Sequence, residues 1–134
     1  MKKFVVAVFT SLLFACTGKN ADYQKPENAL DAGRSFIENS LKGRFTTAKM
    51  YMLPTEENNY WLNKVSQDYN QYTEEDKNGY SNASINIAEV ADQVPDSILI
   101  INYSNSYIKR PQKLKVVKYN GDWKVDLNYT FAGK

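Results

Sequence analysis

The chain predicts an α+β domain, with its helices first and an antiparallel sheet after them. Three observations carry that reading. Apolar residues recur at helical spacing between residues 26 and 72 and alternate between residues 84 and 127. The change of period coincides with a polar stretch, Thr73 to Asn82. Near the C-terminus, Asn120-Gly121 separates two alternating runs within Lys113–Leu127 (KLKVVKYNGDWKVDL), and that pair readily adopts the positive φ angles of a type I′ hairpin turn.

Taken in order, Pro26-Glu27 opens the first helix. Proline suits a first helical position, and Glu27 and Asp31 favour the positive end of the helix dipole. Ala29, Gly33, Phe36, Ile37 and Leu41 make its apolar stripe; Asn28, Asp31, Arg34, Glu38 and Asn39 fall on the polar side, and Gly43 follows its end. Gly33 costs up to about 1 kcal/mol against alanine within a helix, so a close crossing by another element is expected there. Phe45, Ala48 and Met52 predict a short second helix that Pro54 stops. Thr55 caps a third, with Glu56 and Glu57 in its first turn and Trp61, Leu62, Val65, Tyr69 and Tyr72 on its apolar face. Thr73–Asn82, which contains Asn78-Gly79, reads as a polar break.

The strands follow. Ser84–Ala91 places Ile85 and Ile87 on one face and Val90 on the other, which a bulge near Ala88-Glu89 would explain. Asp92–Asp96 reads as a turn around Pro95. Ser97–Tyr107 is the longest strand, with Ile98–Ile101 expected to be buried on both faces and Leu99, Ile101, Tyr103 and Tyr107 sharing one. Arg110-Pro111 turns the chain into the closing hairpin, and Tyr129 and Phe131 extend the Trp123 face.

The 134 residues fit one domain, and ten tyrosines with two tryptophans supply much of the core. The absence of histidine excludes His general-base and Ser-His or Cys-His chemistry, and the single cysteine excludes an internal disulfide. Lys2 and Lys3 supply the whole of the +2 net charge, so the chain without residues 1–15 is formally neutral. That argues against a nucleic-acid partner. Nothing in the sequence calls for a cofactor or a metal.

Residues 1–15 read as a signal peptide: Met1-Lys2-Lys3 is a positive start, and Phe4–Ala15 is an apolar run too short to span a bilayer. Leu13-Phe14-Ala15-Cys16 resembles a bacterial lipobox, although Phe14 is bulkier than the usual residue. The resemblance implies acylation of Cys16 and attachment to a membrane. Residues 16–25 then read as the lipidated cysteine and a flexible polar tether, and 26–134 as the domain. No aspartate follows Cys16 directly; by lipoprotein sorting rules this favours the bacterial cell envelope at the outer membrane, facing the periplasm.

The initial helix after a lipoprotein tether, the Lys42-Gly43-Arg44-Phe45 stretch with Ala48, and the closing LKVVKYNGDWKVDL hairpin resemble the NTF2-like, cystatin-related superfamily, and within it the small bacterial lipoproteins of the DUF4878 kind. The resemblance spans roughly residues 26–128. It implies a curved antiparallel sheet wrapped around the long N-terminal helix as a cone, often with a pocket at one end, in a group whose members are often noncatalytic.

The expected function is a noncatalytic, lipid-anchored envelope domain that binds a protein or small-molecule partner. Tyr51, Trp61, Tyr69, Tyr103 and Tyr107 are candidate pocket residues, with Tyr60, Tyr129 and Trp123 as further aromatics, because aromatic walls suit sugars, lipids or peptides. The alternative for all of them is core packing. A second reading is an isomerase- or hydratase-type enzyme in which Glu89 turns inward beside a tyrosine, against a solvated carboxylate. Glu74-Glu75-Asp76 reads as a solvated turn rather than a cation site. Lys109-Arg110 with Lys113, Lys115 and Lys118 offer a basic surface for lipid headgroups or an acidic partner; the alternating strand lysines read instead as protection of an edge strand. A homodimer packed sheet to sheet is a further possibility for the assembly.

Overall fold

The computed structural model describes residues 23–132. Cys16 and the signal peptide lie outside the described residues. The chain is an α+β domain: α1 (Ala29–Leu41), α2 (Phe45–Lys49), α3 (Glu56–Asn70) and α4 (Glu74–Ser81) precede a four-stranded antiparallel meander of β1 (Ile85–Val94), β2 (Ile98–Asn105), β3 (Gln112–Tyr119) and β4 (Asp122–Asp126), and a short α5 (Leu127–Phe131) closes it.

Helix α1 starts at Ala29 rather than at Pro26, because Asn28 caps it. The Asn28 side chain accepts from the Asp31 N–H at 2.8 Å, and the Asp31 carboxylate accepts from the Glu27 N–H at 2.9 Å. Ala29, Ala32, Gly33, Phe36 and Ile37 are buried against the sheet. The close crossing expected at Gly33 is present: a Cβ there would stand 2.5 Å from Ile101 Cδ1. Asn39, expected on the polar side, is buried instead and donates to the Ser35 carbonyl at 2.8 Å.

The inner face of the sheet carries Leu99 and Ile101 of β2, Leu114 and Val116 of β3 and Val125 of β4, all buried and matched in register across the ladders. Ile98 and Ile100 are half-buried on the outer face, so β2 is covered on one side only and not on both. In β1 the register slips between Ile87 and Glu89, the bulge read from the sequence. It sets Val90 opposite inner-facing Ile101 and Glu89 opposite outer-facing Asn102. The strand runs on to Val94, past the expected turn at Asp92. The β3–β4 turn is as expected, with φ of 49° at Asn120 and 81° at Gly121.

Two stretches differ in kind from expectation. Thr73–Asn82 is not a loop: Thr73 caps α4 by accepting from the Asp76 N–H at 3.1 Å. Gly79 lies inside that helix because the Tyr107 ring packs where its Cβ would be, 2.5 Å away. Tyr129 and Phe131 do not extend β4; they belong to α5. Strand β3 is flanked by β2 and β4, so its lysines guard no edge. The edge of β4 is met by the segment after α2, where Met52 bridges Val125 in parallel. The Val125 N–H donates to the Tyr51 carbonyl at 2.7 Å and the Leu53 N–H to the Val125 carbonyl at 2.9 Å.

Asn58, fully buried on α3, ties this frame together. Its Oδ1 accepts from the Asn128 N–H at 2.7 Å and its Nδ2 donates to the Leu53 carbonyl at 3.3 Å. Asn58→Ala leaves both backbone groups without their buried partner, and is expected to lower stability by about 2–4 kcal/mol in urea unfolding. A loss within the range of a surface change would show that the junction is held by packing alone.

Candidate functional site

Helix α5 builds one wall of a large cleft. Where β4 stops opposite Lys115, the chain coils and runs beside the start of β3, pinned there by Thr130 Oγ1 donating to the Lys113 carbonyl at 2.7 Å. On its other side Asn128 Oδ1 accepts from Trp61 Nε1 at 3.0 Å, and Phe131 stacks on Trp61 with ring centroids 4.6 Å apart. The resulting cleft has a volume of about 790 Å³. Ala88, Asn102, Ser104, Lys113, Tyr129 and Thr130 face it, and Tyr103, Gln112, Pro111 and Ala132 complete its lining. Apolar surface, amides, hydroxyls and one lysine suit a neutral or anionic ligand held by hydrogen bonds and stacking on Tyr129.

Tyr103 stands on the inner face, opposite Ile87 and Gln112, and donates to Gln112 Oε1 at 3.1 Å. Burial pushes its hydroxyl up to about 12, so it stays a protonated donor at any physiological pH.

The five candidate pocket residues do not share one cavity. Tyr103 lies at this cleft together with Tyr129. Tyr51 is buried at the far side of α1 and borders a polar groove of about 680 Å³ that Arg34, Asn39 and Arg44 also line. Its hydroxyl accepts from the Gln24 N–H at 3.1 Å and donates to the Gln24 carbonyl at 3.0 Å, and its ring lies 4.9 Å from Tyr23. Trp61 is half-buried between α3 and α5, with Tyr60 exposed beside it. Tyr69 and Tyr107 join an aromatic row that runs Phe45, Tyr69, Tyr72, Tyr80, Tyr107, with successive centroids 5.5, 5.8, 5.3 and 5.0 Å apart. Tyr107 donates to Asp76 at 2.6 Å, and that bond to a carboxylate pushes its own hydroxyl up. Trp123 is half-buried under Lys118, whose Nζ lies 5.4 Å above the ring.

Glu89 is exposed on the outer face, where its carboxylate accepts from Asn102 Nδ2 at 3.1 Å; Tyr103 stands on the other face. Glu74, Glu75 and Asp76 form the first turn of α4, and among the described residues no cluster of three acidic, cysteine or histidine side chains is placed to hold a metal. Sequence reasoning missed Asn58, Asn128 and the Tyr51–Gln24 clasp. The aromatic row was missed too, since it depends on α4. The Thr73-Glu74-Glu75 pattern that starts α4 repeats Thr55-Glu56-Glu57, and was the available signal. Among the described residues no helix is long and apolar enough to cross a membrane. No family model, curated protein or solved structure matches this chain.

An unfolded tyrosine releases its proton near pH 10, whereas folded Tyr103 holds it to about 12. Its stabilising contribution is therefore whole below pH 10 and is lost as pH rises toward 12. Urea titrations across that window are expected to fall less steeply for Tyr103→Phe than for the parent chain; parallel curves would place the hydroxyl in solvent.

Proposed function

We propose that the chain is a noncatalytic, lipid-anchored domain of the bacterial cell envelope that binds a protein partner or small ligand. One observation carries the reading: the only cysteine stands at the end of the apolar N-terminal run, directly after Leu13-Phe14-Ala15. Acyl chains on Cys16 would hold the domain at a membrane, since each buried methylene contributes about 0.8 kcal/mol. The helices-then-meander order is compatible with an NTF2-like body of the DUF4878 kind, and the cleft beside α5 is the candidate place for its ligand.

That cleft is mixed in character. Tyr129 gives a stacking surface, Asn102 and Ser104 give amide and hydroxyl groups, and Lys113 gives a positive charge. No carboxylate lines it, so the partner surface it suits is neutral or acidic and moderately apolar.

The test is Cys16→Ser in the full chain expressed in a bacterium. The parent protein is expected to sediment with membranes and to incorporate labelled fatty acid. The variant is expected to lose the label and to leave the membrane fraction. Retention of the variant in membranes without label would show that something other than an acylated Cys16 holds the protein there.

A further inference from the structure

Part of the stretch read as tether belongs to the fold. Tyr23, Gln24 and Lys25 belong by composition to the tether, yet they are fastened to the domain at three points. Tyr51 grips both backbone groups of Gln24, Lys124 lies over the Tyr23 ring at 5.7 Å, and Lys25 pairs with Asp122 at 3.2 Å. Burial, and then the neighbouring Asp122, push the Tyr23 hydroxyl up. Only Thr17 to Asp22 therefore separate the cysteine from a fixed point on the fold. Even fully extended, that length of chain reaches about 25 Å.

The surface around this fixed point has a definite chemistry. Tyr23 lies under Lys124 and Lys25 meets Asp122, beside the last pairs of the β3–β4 ladder. Lys118 faces Trp123 across β3–β4 and covers its ring, and Tyr119 pairs with Asp122 while remaining exposed. Lys25 and Lys118 are exposed, while Lys124 Nζ also donates to the Met50 carbonyl at 2.6 Å; facing them, Asp122 pairs with Lys25, and Asp92 and Asp96 border the groove that Trp123 shares with Ala29 and Leu99. Amphipathic aromatics beside lysines that can extend their charge outward are the side chains that settle at the headgroup level of a bilayer.

We propose that this end of the domain is a membrane-docking face. The Asn120-Gly121 hairpin, Trp123 and the exposed Lys25 and Lys118 rest on anionic headgroups, and the clasp on Gln24 fixes that orientation. The inference rests on the acylation of Cys16 proposed above. It goes beyond it by specifying which end of the domain meets the bilayer. Strand β3 then ends at the membrane, and the cleft at its Gln112 end points into the aqueous compartment.

The chain's two tryptophans make the proposal measurable, because they sit at different heights. Trp123 is on the docking face; Trp61 stands with Phe131 beside the opposite end of β3. The lipidated full chain would be reconstituted in vesicles of phosphatidylethanolamine with a minor share of phosphatidylglycerol, some lipids carrying a headgroup nitroxide. The Trp61→Phe chain, which reports Trp123, is expected to be strongly quenched, and the Trp123→Phe chain weakly. Lys25→Glu with Lys118→Glu, both exposed lysines, should lower the docked-to-undocked ratio about tenfold or more and bring the Trp123 signal down with it, while flotation with vesicles persists. Flotation with equal quenching of both tryptophans would overturn the docking face and leave the anchor standing. Failure of the acylated parent to float would overturn both. Equal quenching in vesicles without phosphatidylglycerol, combined with capture of an acidic protein by the same lysines, would give the face to a protein partner instead.

Discussion

The fold depends on one close approach, that of α1 to the sheet at Gly33. Alanine on one side (Ala29, Ala32) and the missing side chain at Gly33 let the helix lie against Ile101, Leu114 and Val116 with no intervening layer. Phe36 and Ile37 then fill the space further along. A Cβ at position 33 would strike the tip of a fully buried isoleucine, and a packed interior has little room to yield. The glycine's helix penalty is up to about 1 kcal/mol, while overpacking costs about 1–3 kcal/mol, so the glycine is the better residue here. Because α1 is seated this closely, it spans the sheet from the Leu99–Trp123 end, where Ala29 stands, to the Ile85 end, where Leu41 stands.

Around this pair the remaining elements add core residues, Ala48, Met52, Leu62 and Leu127, and are also tied in through backbone groups. The segment 51–53 continues the sheet at the β4 edge, and Asn58 joins α3 to both that segment and α5. Tyr51 shows the economy of the arrangement: its ring is core, its carbonyl extends the β4 ladder, and its hydroxyl holds Gln24. On the opposite side β1 is covered by no further strand among the described residues, and from Ala88 onward it is exposed. Its Glu89 and Asp92 and its register slips make that edge a poor template for another strand.

Much of the architecture was legible because it follows from periodicity. Alternation in KLKVVKYNGDWKVDL, the Asn-Gly turn and the Thr55 cap each depend on neighbours in sequence, and each appears as read. The errors arose where a local signal competed with a stronger one. Asn78-Gly79 suggested a turn, but the Thr73 cap and the Tyr107 ring set over Gly79 favour a helix. Tyr129 and Phe131 continue an alternating pattern, yet Asn58 and Trp61 bond Asn128 and draw the chain into α5. The candidate site was less legible still. The tyrosines carry no label for which partner they meet: Tyr51 meets backbone, Tyr107 meets Asp76, and Tyr103 meets Gln112, all long-range in sequence.

Those partners divide the molecule into two ends with different chemistry. At one, the start of the described chain is fastened beside lysines and a half-buried tryptophan. At the other, β3 begins beside α5 and the cleft opens. Gln112 and Lys118 are six residues apart on one strand, which places the two ends about 20 Å from each other. On the proposed reading this separation has a functional consequence. A domain on a long free tether would present every face to the membrane and to partners alike. Acylated at Cys16 and clasped at Gln24, this domain would be restricted to a narrow range of heights and tilts. The surface near the bilayer would then be given over to attachment, and a partner would meet the domain at the end carrying Tyr129, Asn102 and Lys113. On that reading, orientation of this kind would raise the effective concentration of the cleft toward partners in the same compartment without any new contact, and it would follow from the fastening of Gln24 by Tyr51, of Tyr23 by Lys124 and of Lys25 by Asp122.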